Sequence, residues 1–548
     1  MSESESRSAA VSADVVIAGA GPNGLMLACE LSLAGVRPLV LERLTERAQE
    51  GKANGLVGQV VRMLDRRGLY ERLGGSPPPK PQPGFVFGAM PLHLHLLAER
   101  DNPLYILQVP QREAERVLEE RATELGVEIR RGHELTGVSQ DDDGVTVEIS
   151  GPDGAYRLTA RYLVGADGGR SAVRKLSGIG FPGVTKDDTT SRTAHVSVPE
   201  TIIDRATGGL DLPGYGAVIP PFMHHRTERG MFAYAPFPTG TIMTTAEWEP
   251  EAREDATAPL TLEELRASLR RVLGVDVPFG PPRGEGPHML RRLTGGNTRL
   301  ADRFRDRRVL LAGDAAHVHS AIGGPGLNLG LQDTINLGWK LAAEIQGWAP
   351  PGLLDSYEAE RRPAAERVIM HTRAQSALIA PGGDVTSLRE LFGELLRDPG
   401  AVRHIAATMA GADVRYDMGG EGEAHPLVGG WAPDLTLDTG AGPVRLAELT
   451  ASARPLLLDL TEDGSLAAEL SGWRDRVDAV AGRPAGPPEG DAGATAPVTA
   501  LLLRPDCYVA WATGAARPGD QDRRALRAAL SRWFGAPVNS VRDAPSLR

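Results

Sequence analysis

Three stretches of the chain repeat one pattern, in which a short apolar run is followed by a glycine-containing turn and by apolar residues at helical spacing. The first covers residues 13–43, "ADVVIAGAGPNGLMLACELSLAGVRPLVLER", with Pro22 where a helix should begin and Gly35 where it should end. The second covers residues 161–178 and the third covers residues 307–345. Recurring strand, turn and helix units predict an α/β domain with a parallel sheet.

The remaining segments show other periodicities. Residues 179–299 contain short alternating runs such as "GMFAYAPF" and "GTIMTTAEW", which are typical of an antiparallel sheet. After a helix-rich passage the glycine-rich run "MGGEGEAHP" marks a boundary, and strand patterns then alternate with helical ones. We predict a disordered tail at 1–12, an α/β domain formed by 13–178 and 300–375, an inserted sheet domain at 179–299, a helical connector at 376–425 and a further strand-and-helix domain at 426–548.

Composition narrows the class of protein. At 548 residues the chain has room for roughly three domains of ~150 residues. The net charge of -11 argues against nucleic-acid and anionic-membrane partners, because a basic surface drives phosphate binding. Cys29 and Cys507 are the only cysteines, so we expect no disulfide framework and a reducing compartment. The acidic, serine-rich start is unlike a signal peptide and no apolar run reaches the ~18 residues of a membrane span, so we expect a soluble cytoplasmic protein.

A glycine-rich motif follows the first predicted strand. Gly19, Gly21 and Gly24 form G-A-G-P-N-G, and Glu42 ends the next strand. In this context the first glycine permits a tight turn, the second lets backbone N–H groups approach a pyrophosphate, and the third allows close helix–strand packing. Glu42 would accept hydrogen bonds from ribose hydroxyls, and the helix N-terminus adds partial positive charge. A glycine turn with an unrelated glutamate is the alternative, which the strand–turn–helix context disfavours.

The second unit also places polar residues after a strand. Asp167 and Gly168 begin the turn, and a ligand could approach its backbone there. Arg174, one turn further on, could serve an anionic group. Taken alone, an ordinary turn with Ser171 as the helix cap is the better interpretation of this segment.

The third unit is the richest in glycine. Gly313 and Asp314 end the strand, and the loop "AIGGPGLN" leads into a helix expected to begin at Leu327. The aspartate can bind polyol hydroxyls, and free N–H groups at a helix start can stabilise an anion. FAD is one ligand long enough to use a pyrophosphate site, a polyol site and such a helix end. We therefore predict that the glycines bring backbone up to a flavin ring.

Two histidines precede this loop. His317 and His319 could form a satisfied pair or belong to a metal site. Metal sites normally bring further ligands at regular spacing, which this stretch lacks. We expect His317 to orient the loop and no metal to bind.

These three motifs together resemble the single-component (class A) FAD-dependent aromatic hydroxylases, over residues 13 to about 375. Residues 410–540, with "HPLVGGWAPDLTL" and "LLLRPDCYVAW", resemble the C-terminal domain of the subgroup that includes phenol hydroxylase, rifampicin monooxygenase and the oxygenases that tailor bacterial aromatic polyketides. The resemblance implies an α/β fold with a Rossmann-like FAD-binding domain, an inserted antiparallel-sheet domain for the substrate and a thioredoxin-like domain at 426–548. Without a CxxC motif, that last domain is expected to be structural.

The resemblance also implies a set of flavin-contacting residues. Lys52 stands where the family usually has an arginine, and a lysine offers a point charge in place of a planar fork. Gln111 matches a flavin-contacting glutamine, and backbone at Leu327 and Asn328 would stabilise the reduced flavin anion. The predicted cofactor-binding residues are Gly19, Gly21, Pro22, Asn23, Gly24, Glu42, Arg43, Lys52, Gln111, Asp167, Gly168, Gly313, Asp314, Gly324, Gly326, Leu327 and Asn328.

The sequence gives weaker evidence for the residues that bind the substrate. Aromatic residues on the predicted sheet suit a large planar molecule, although each one alone is more typical of a core. Ala321 replaces the usual proline of the loop where the pocket meets the flavin, and Cys507 replaces a usual glycine. The candidate substrate residues are Phe222, Tyr234, Phe237 and Ala321, with Phe232 beside them.

The resemblance implies a definite chemistry. NAD(P)H reduces FAD, O2 then forms a C4a-(hydro)peroxyflavin, and one oxygen atom passes to an electron-rich ring. A polycyclic aromatic polyketide is the expected substrate, and a homodimer is compatible with the resemblance. Two alternatives remain, a Baeyer–Villiger or ring-rearranging oxygenase and a flavin- or ligand-binding protein without turnover. A flavin halogenase is disfavoured because the chain has no W-x-W motif.

Overall fold

A computed structural model describes residues 13–47, 55–237, 240–248, 259–284, 288–320, 322–420, 424–440, 442–486 and 497–538, and the side chains of 186–188 lie outside the description. The predicted tail at 1–12, Lys52 and Ala321 also lie outside the described residues. None of the described helices combines the length and hydropathy that crossing a membrane requires.

The first segment supplies most of a parallel sheet. Its elements are β1 (Ala13–Ala18), α1 (Pro22–Leu33), β2 (Pro38–Glu42), β3 (Leu56–Val57), α2 (Gln59–Asp65), β4 (Phe85–Phe87), β5 (Met90–Leu92), β6 (Ile106–Leu107), α3 (Gln111–Glu124), β7 (Glu128–Arg131), β8 (Glu134–Gln140), β9 (Val145–Gly151), β10 (Gly154–Gly165) and α4 (Ala172–Leu176). The middle segment contains β11 (Gly183–Val196), β12 (Leu210–Asp211), β13 (Val218–Ile219), β14 (His224–Thr227), β15 (Gly230–Phe237), β16 (Gly240–Trp248), α5 (Leu262–Leu273) and β17 (Leu290–Leu300).

The chain then returns to the first sheet and continues into a helical region. These elements are β18 (Arg305–Asp306), β19 (Val309–Leu311), β20 (His317–Val318), α6 (Pro325–Gln346), α7 (Ser356–Ile379), α8 (Gly383–Leu395) and α9 (Pro399–Ala410). The last segment contains β21 (Thr436–Asp438), β22 (Pro443–Arg445), α10 (Leu446–Leu449), β23 (Leu456–Asp459), β24 (Asp478–Ala481), β25 (Arg483–Pro484), β26 (Ala500–Leu503), β27 (Val509–Thr513) and α11 (Asp520–Phe534).

Strand β1 lies at the centre of the parallel sheet. Its neighbours β2 and β10 are parallel to it, β19 adds to β10, and β7 adds to β2. Val15, Val16 and Ile17 are fully buried, as expected for a strand covered on both faces. Because parallel strands end at the same edge, the turns after β1, β10 and β19 meet there.

The second sheet is antiparallel in all its pairings. Its edge strand β20 follows β19 of the first sheet along the chain. Its strand order is β14-β15-β16-β11-β17-β20. Helix α5 covers one face with an apolar stripe that includes Leu265, Leu269 and Val272. Thr261 caps the start of α5, and Gly274, in the left-handed region, ends it. One face of this sheet is therefore core, and the other is turned away from α5.

The C-terminal segment forms a four-stranded sheet within the described residues, in the order β24-β23-β26-β27. The pair β23/β24 is parallel and the other two pairs are antiparallel. Helix α11 packs on this sheet, and its Trp533 and Phe534 share a core with Trp339 of α6. The segment is thus joined to the flank of α6.

Candidate cofactor and substrate site

The glycine motif after β1 forms a turn with two closely packed positions and one open position. A Cβ on Gly19 would lie 2.5 Å from the carbonyl oxygen of Ala166, and Gly19 has a φ of +106°. A Cβ on Gly24 would overlap the carbonyl oxygen of Gly19. At Gly21, which precedes α1, a Cβ would meet no protein atom within 4 Å. The backbone before α1 is therefore open to a ligand at Gly21.

Glu42 is brought against this turn from the end of β2. Its Oε2 accepts a hydrogen bond from the backbone N–H of Ala20 at 2.9 Å, and Oε1 accepts from that of Leu44 at 2.9 Å. Each carboxylate oxygen keeps a further lone pair for a ligand hydroxyl. The neighbouring Arg43 is exposed.

Asn23 connects the first motif to the third. A Cβ on Gly313 or on Gly330 would overlap its side-chain amide, so all three residues are in close contact. Pro22 begins α1 and places Asn23 in the first helical turn. The Oδ1 atom of Asn23 is buried and has no hydrogen-bond partner within the described residues.

The turn after β10 is held by its aspartate. Asp167 Oδ2 accepts hydrogen bonds from the backbone N–H groups of Ala172 at 2.6 Å and Val173 at 3.2 Å, at the start of α4. Its Oδ1 is buried without a partner among the described residues, and Gly168 borders open space. The preceding Ala166 donates its N–H to the carbonyl of Ala18 at 2.9 Å, which fixes this turn beside the first.

The position of Arg174 differs from the expectation that it could serve an anionic group. Its guanidinium donates to the carbonyl of Ala315 at 2.8 Å and to that of Gly169 at 2.9 Å, and it lies over the ring of Phe181 at 3.7 Å. The side chain is buried, so it links the second turn to the third and is not available to an anionic ligand. The sequence shows its position in the helix but not the carbonyls that it meets.

The turn after β19 carries a carboxylate without a partner. Gly313 has a φ of +61° and begins a short 3-10 turn with Asp314 at its centre. Asp314 is half-buried, and no hydrogen bond or ion pair to its side chain occurs within the described residues. This carboxylate is placed to accept hydrogen bonds from a ligand polyol.

His317 anchors the strand after this turn. Its Nε2 lies 2.6 Å from Oδ2 of Asp333, and both side chains are fully buried. Arg361 donates to the other oxygen of Asp333 at 2.8 Å. Burial alone would raise the pKa of Asp333, but the charges of His317 and Arg361 hold it below the ordinary value. Within the described chain no group of three or more His, Cys, Asp or Glu could hold a metal ion.

Helix α6 begins two residues before the predicted start, at Pro325. Gly324 is its N-cap, with a φ of +69° and no side-chain cap, and it borders open space. Asn328 braces this start, because it donates to the carbonyl of Gly324 at 2.6 Å and accepts from the N–H of Val57 at 3.0 Å. The N–H groups of Gly326 and Leu327 belong to the first turn, where helices leave donors for ligands.

Gln111, by contrast, is engaged by its own helix. It begins α3 and donates from Nε2 to Oε1 of Glu115 at 2.8 Å. Burial raises the pKa of Glu115. The amide oxygen of Gln111 is the part that remains for a cofactor. Lys52 and Ala321, the two residues that depart from the family pattern, stay predictions.

Alternate residues of each strand in the antiparallel sheet point to opposite faces of the sheet. Phe232 and Tyr234 belong to the core beneath α5 and are 0% and 1% exposed. The assignment of Tyr234 to a substrate pocket is therefore wrong, because an aromatic run in a strand alternates between faces. Phe237 has the opposite parity, and it contacts the exposed Phe222 edge-on at 5.4 Å.

The uncovered face is lined by smaller side chains. Met231 and Ala246 pair across β15 and β16 and pack with Ala89 and Ile379, and the partly buried Ile322 of the third loop adjoins them. Further members of this open face are the half-buried Ala233, Thr244, Trp248 and Thr193. Sequence reasoning missed these residues, although the period-two pattern of β15 contains the signal. The open face thus borders the loop that leads to α6.

A polar pair on α7 also reaches this loop. Gln375 accepts from the N–H of Gly88 at 3.3 Å, and its Nε2 lies 3.3 Å from Nδ1 of His371. A Cβ on Gly323 would lie 3.2 Å from the same amide. Burial, followed by the nearby His319, lowers the pKa of His371 to about 4. No sequence signal distinguishes these residues from other polar residues of a helix.

The arrangement fits a flavin dinucleotide. The three turns leave open backbone at Gly21, Gly168 and Gly324, where a side chain would fill the cradle. Buried acceptors on Asn23 and Asp167 lack protein partners within the described residues. The fold and site define a dinucleotide-binding protein in which a second, antiparallel sheet adjoins the third turn.

Comparison with known proteins identifies the family. An FAD binding domain family matches residues 12–372, and the C-terminal domain of aromatic-ring hydroxylases matches residues 425–537. The chain belongs to the FAD-dependent aromatic-ring hydroxylases, which are monooxygenases.

Individual relatives are similar over almost the whole chain. A 12-dehydrotetracycline 5-monooxygenase/anhydrotetracycline 6-monooxygenase of Streptomyces rimosus is 46% identical, over 96% of this chain and 99% of the relative. A rifampicin monooxygenase of Streptomyces venezuelae is 41% identical, over 95% of this chain and 99% of the relative. The structure of the anhydrotetracycline hydroxylase OxyS from Streptomyces rimosus covers 96% of this chain and 100% of its own, at 44% identity and a TM-score of 0.81.

Proposed function

We propose that the chain is an NAD(P)H-consuming FAD monooxygenase that places one oxygen atom from O2 on a polycyclic aromatic polyketide. The observation that carries the proposal is the contact between the third turn and the open face of the antiparallel sheet, through Ile322, Met231 and Ala246. A flat molecule on that face would lie beside the cofactor turns. The names of the relatives support the class of substrate.

FAD, when bound, supplies the oxygen chemistry, and the protein supplies binding, orientation and exclusion of water. Glu42 and Asp314 would hold the ribose and the polyol, and the turn at Gly21 would hold the pyrophosphate. The first turn of α6 would stabilise negative charge on the reduced flavin, because its N–H donors are fixed by the bracing at Asn328. Few catalytic side chains are needed.

The C-terminal segment supports a thioredoxin-like assignment. Its strand order β24-β23-β26-β27, with one parallel and two antiparallel pairs, is the arrangement we expect for that fold. Redox activity of the thioredoxin type does not follow, since Cys29 and Cys507 are both buried and free. Burial raises the pKa of Cys29 to about 12, which removes its thiolate at neutral pH.

The decisive experiment follows nicotinamide oxidation and product mass together. Purified yellow protein would be mixed with NADPH or NADH and a panel of polycyclic phenols and quinones, anhydrotetracycline among them. A product with one oxygen added on a ring carbon supports the proposal. A ring-expanded or rearranged product points to the Baeyer–Villiger alternative, and nicotinamide oxidation that no compound stimulates points to a binding protein. Asp314→Ala should purify with much less flavin, and full occupancy would contradict its assignment.

A further inference from the structure

A cavity of about 250 Å³ lies at the free edge of the antiparallel sheet, beside β14. Its walls include Arg226 and His224 from β14, Arg389 from α8, and Ala89. Arg226 pairs across the strands with Met231, so its side chain belongs to the open face of the sheet. The cavity therefore continues that face at its outer edge.

The two arginines are held in place without a carboxylate. Arg226 donates to the carbonyls of Ala380 at 2.9 Å and Gly382 at 3.1 Å, and to the Thr386 hydroxyl at 3.2 Å. Arg389 donates to the carbonyls of Gly88, Leu378 and Ala89 at 2.5, 2.8 and 2.9 Å. Throughout the described segments neither guanidinium has an acidic partner. A guanidinium has five N–H donors, so each retains capacity for another acceptor.

The pair contrasts with a neutralised arginine on the same sheet. Elsewhere on the same sheet Arg192 lies 2.7 Å from Glu247 and 2.8 Å from Glu264. The chain has a net charge of -11, so acidic residues are not scarce. Two positive charges close together on one cavity wall repel each other, and a negative charge bound between them would stabilise both.

The C-terminal end of α7 explains part of the arrangement. Helix α7 ends at Ile379, and the carbonyls at this end carry partial negative charge that attracts cations. One bond of each arginine goes to this helix end, to Ala380 from Arg226 and to Leu378 from Arg389. The partial charge there neutralises only a fraction of one positive charge. Burial and then the neighbouring Arg226 lower the pKa of Arg389, as expected for two like charges. Burial also lowers the pKa of His224 and His225, so neither adds charge at neutral pH.

We propose that this cavity binds an oxyanion of a ligand through Arg226 and Arg389. The assignment of the ligand rests on the proposed function, which offers two sources: a phosphate of the nicotinamide co-substrate, or an ionised enol or phenol oxygen of the aromatic substrate. Both present oxygen atoms with negative charge to a planar donor fork, which is the chemistry that arginine recognises. The site lies at the edge of the open face, and its lining does not include the turn at Gly21.

Titration of the holoenzyme with inorganic pyrophosphate tests the site itself. Arg226→Gln and Arg389→Gln should each weaken its binding about 10-fold or more, since each removes a charge-assisted hydrogen bond. Arg229→Gln is the matched control, because it removes an exposed arginine from the same hairpin without lining the cavity. Affinities within twofold of the wild type in both cavity variants would overturn the proposal and leave the arginines as anchors of α7.

A second measurement needs no variant and covers the case in which one fails to fold. Phenylglyoxal modifies accessible arginines, and peptide mass spectrometry locates the adducts. Saturating pyrophosphate should protect Arg226 and Arg389 but not Arg229. Equal modification of all three with and without pyrophosphate would overturn the proposal.

Two further titrations identify the source of the oxyanion. If NADP⁺ binds about 10-fold more weakly to Arg389→Gln while anhydrotetracycline binds as before, the cavity serves the co-substrate; the reverse assigns it to the aromatic substrate. These equilibrium measurements do not depend on turnover. A holoenzyme that oxidises no nicotinamide with any aromatic compound would defeat the proposed function, whereas the pyrophosphate titration would still decide the anion site.

Discussion

Nε2 of His317 lies 2.6 Å from Oδ2 of Asp333, and neither side chain is exposed to solvent. The same carboxylate accepts from Arg361 at 2.8 Å and from the N–H of Gly313 at 3.3 Å. One buried carboxylate on α6 therefore connects the third turn to α7. The position of the turn that carries Asp314 depends on this connection.

Replacing Asp333 by asparagine should destabilise the protein by about 3–5 kcal/mol, because Arg361 would be left as a buried charge without its partner. The contribution of Asp333 is present above the ordinary carboxyl pKa and is lost as pH falls through its lowered folded-state pKa. Urea denaturation at pH 7 measures the loss, with flavin content recorded in parallel. Glu366→Gln is the control, since that residue forms an exposed pair with Arg362 on α7. Equal stability of the two variants would show that the connection contributes little.

His371 should make stability depend on pH. Its folded-state pKa of about 4 lies below the ordinary histidine value of 6.5, so the unfolded chain binds more protons between those pH values. The free energy of unfolding should therefore fall as the pH is lowered from about 6.5 to 4, by at most about 3 kcal/mol from this residue. His371→Asn should have a flatter profile in that range. Other buried histidines also titrate, so the test is the difference between the two profiles; parallel profiles would contradict the prediction.

Two glycines of the first motif should respond differently to alanine. Gly21→Ala has room in the protein and should change the stability of the apoprotein by less than about 0.5 kcal/mol. It should nevertheless weaken FAD binding about 10-fold or more, because the methyl group would occupy the ligand's side of the turn. Gly24→Ala would overlap the backbone of Gly19 and should destabilise the apoprotein itself. Flavin fluorescence titration and thermal unfolding separate the two effects, and unchanged FAD affinity in Gly21→Ala would contradict the assignment.

The C-terminal segment should unfold together with the rest of the protein. Arg504 is fully buried and donates to Oε1 and Oε2 of Glu360 on α7 at 2.7 and 2.8 Å. Arg504→Met should cost about 3–5 kcal/mol and keep a single unfolding transition. Arg517→Met, whose partner Glu462 lies 3.9 Å away at the surface, should change stability by less than about 0.5 kcal/mol. A separate early transition of the C-terminal segment would show that the two parts are independent.

The two faces of β15 should be functionally distinct. Ala233→Leu adds bulk to the open face and should abolish most substrate-stimulated nicotinamide oxidation while FAD content stays unchanged. Tyr234→Phe keeps the ring in the core beneath α5 and should leave that stimulation intact, whereas Tyr234→Ala should cost about 3–5 kcal/mol of stability. If Tyr234→Phe abolished stimulation and Ala233→Leu did not, the faces would be reversed.

Local sequence rules located the turns of the site. Gly19 and Gly24 occupy positions where only a residue without a side chain fits, so their spacing is visible in the sequence. Glu42 ends β2 and Asp314 follows β19, and parallel strands end at one edge, so their proximity to the turns could also be expected. The start of α6 was predicted two residues late, because Pro325 was not recognised as its first residue.

Contacts between distant elements fix which face of a strand is core and which partners a side chain meets, and sequence spacing shows neither. A strand with period two has two faces, and only the packing of α5 shows that Tyr234 lies in the core and Ala233 on the open face. Arg174 and Arg226 carry the same charge, and both donate to carbonyls that are distant in the chain. Arg174 is buried against Phe181, whereas Arg226 lies on the wall of a cavity. The turns and the cofactor class could be predicted from the residues alone, because they follow from backbone constraints over a few positions. The partners of side chains such as Arg174 and Arg226 could not be predicted in this way, because they come from elements far apart in the chain that meet only in the folded protein.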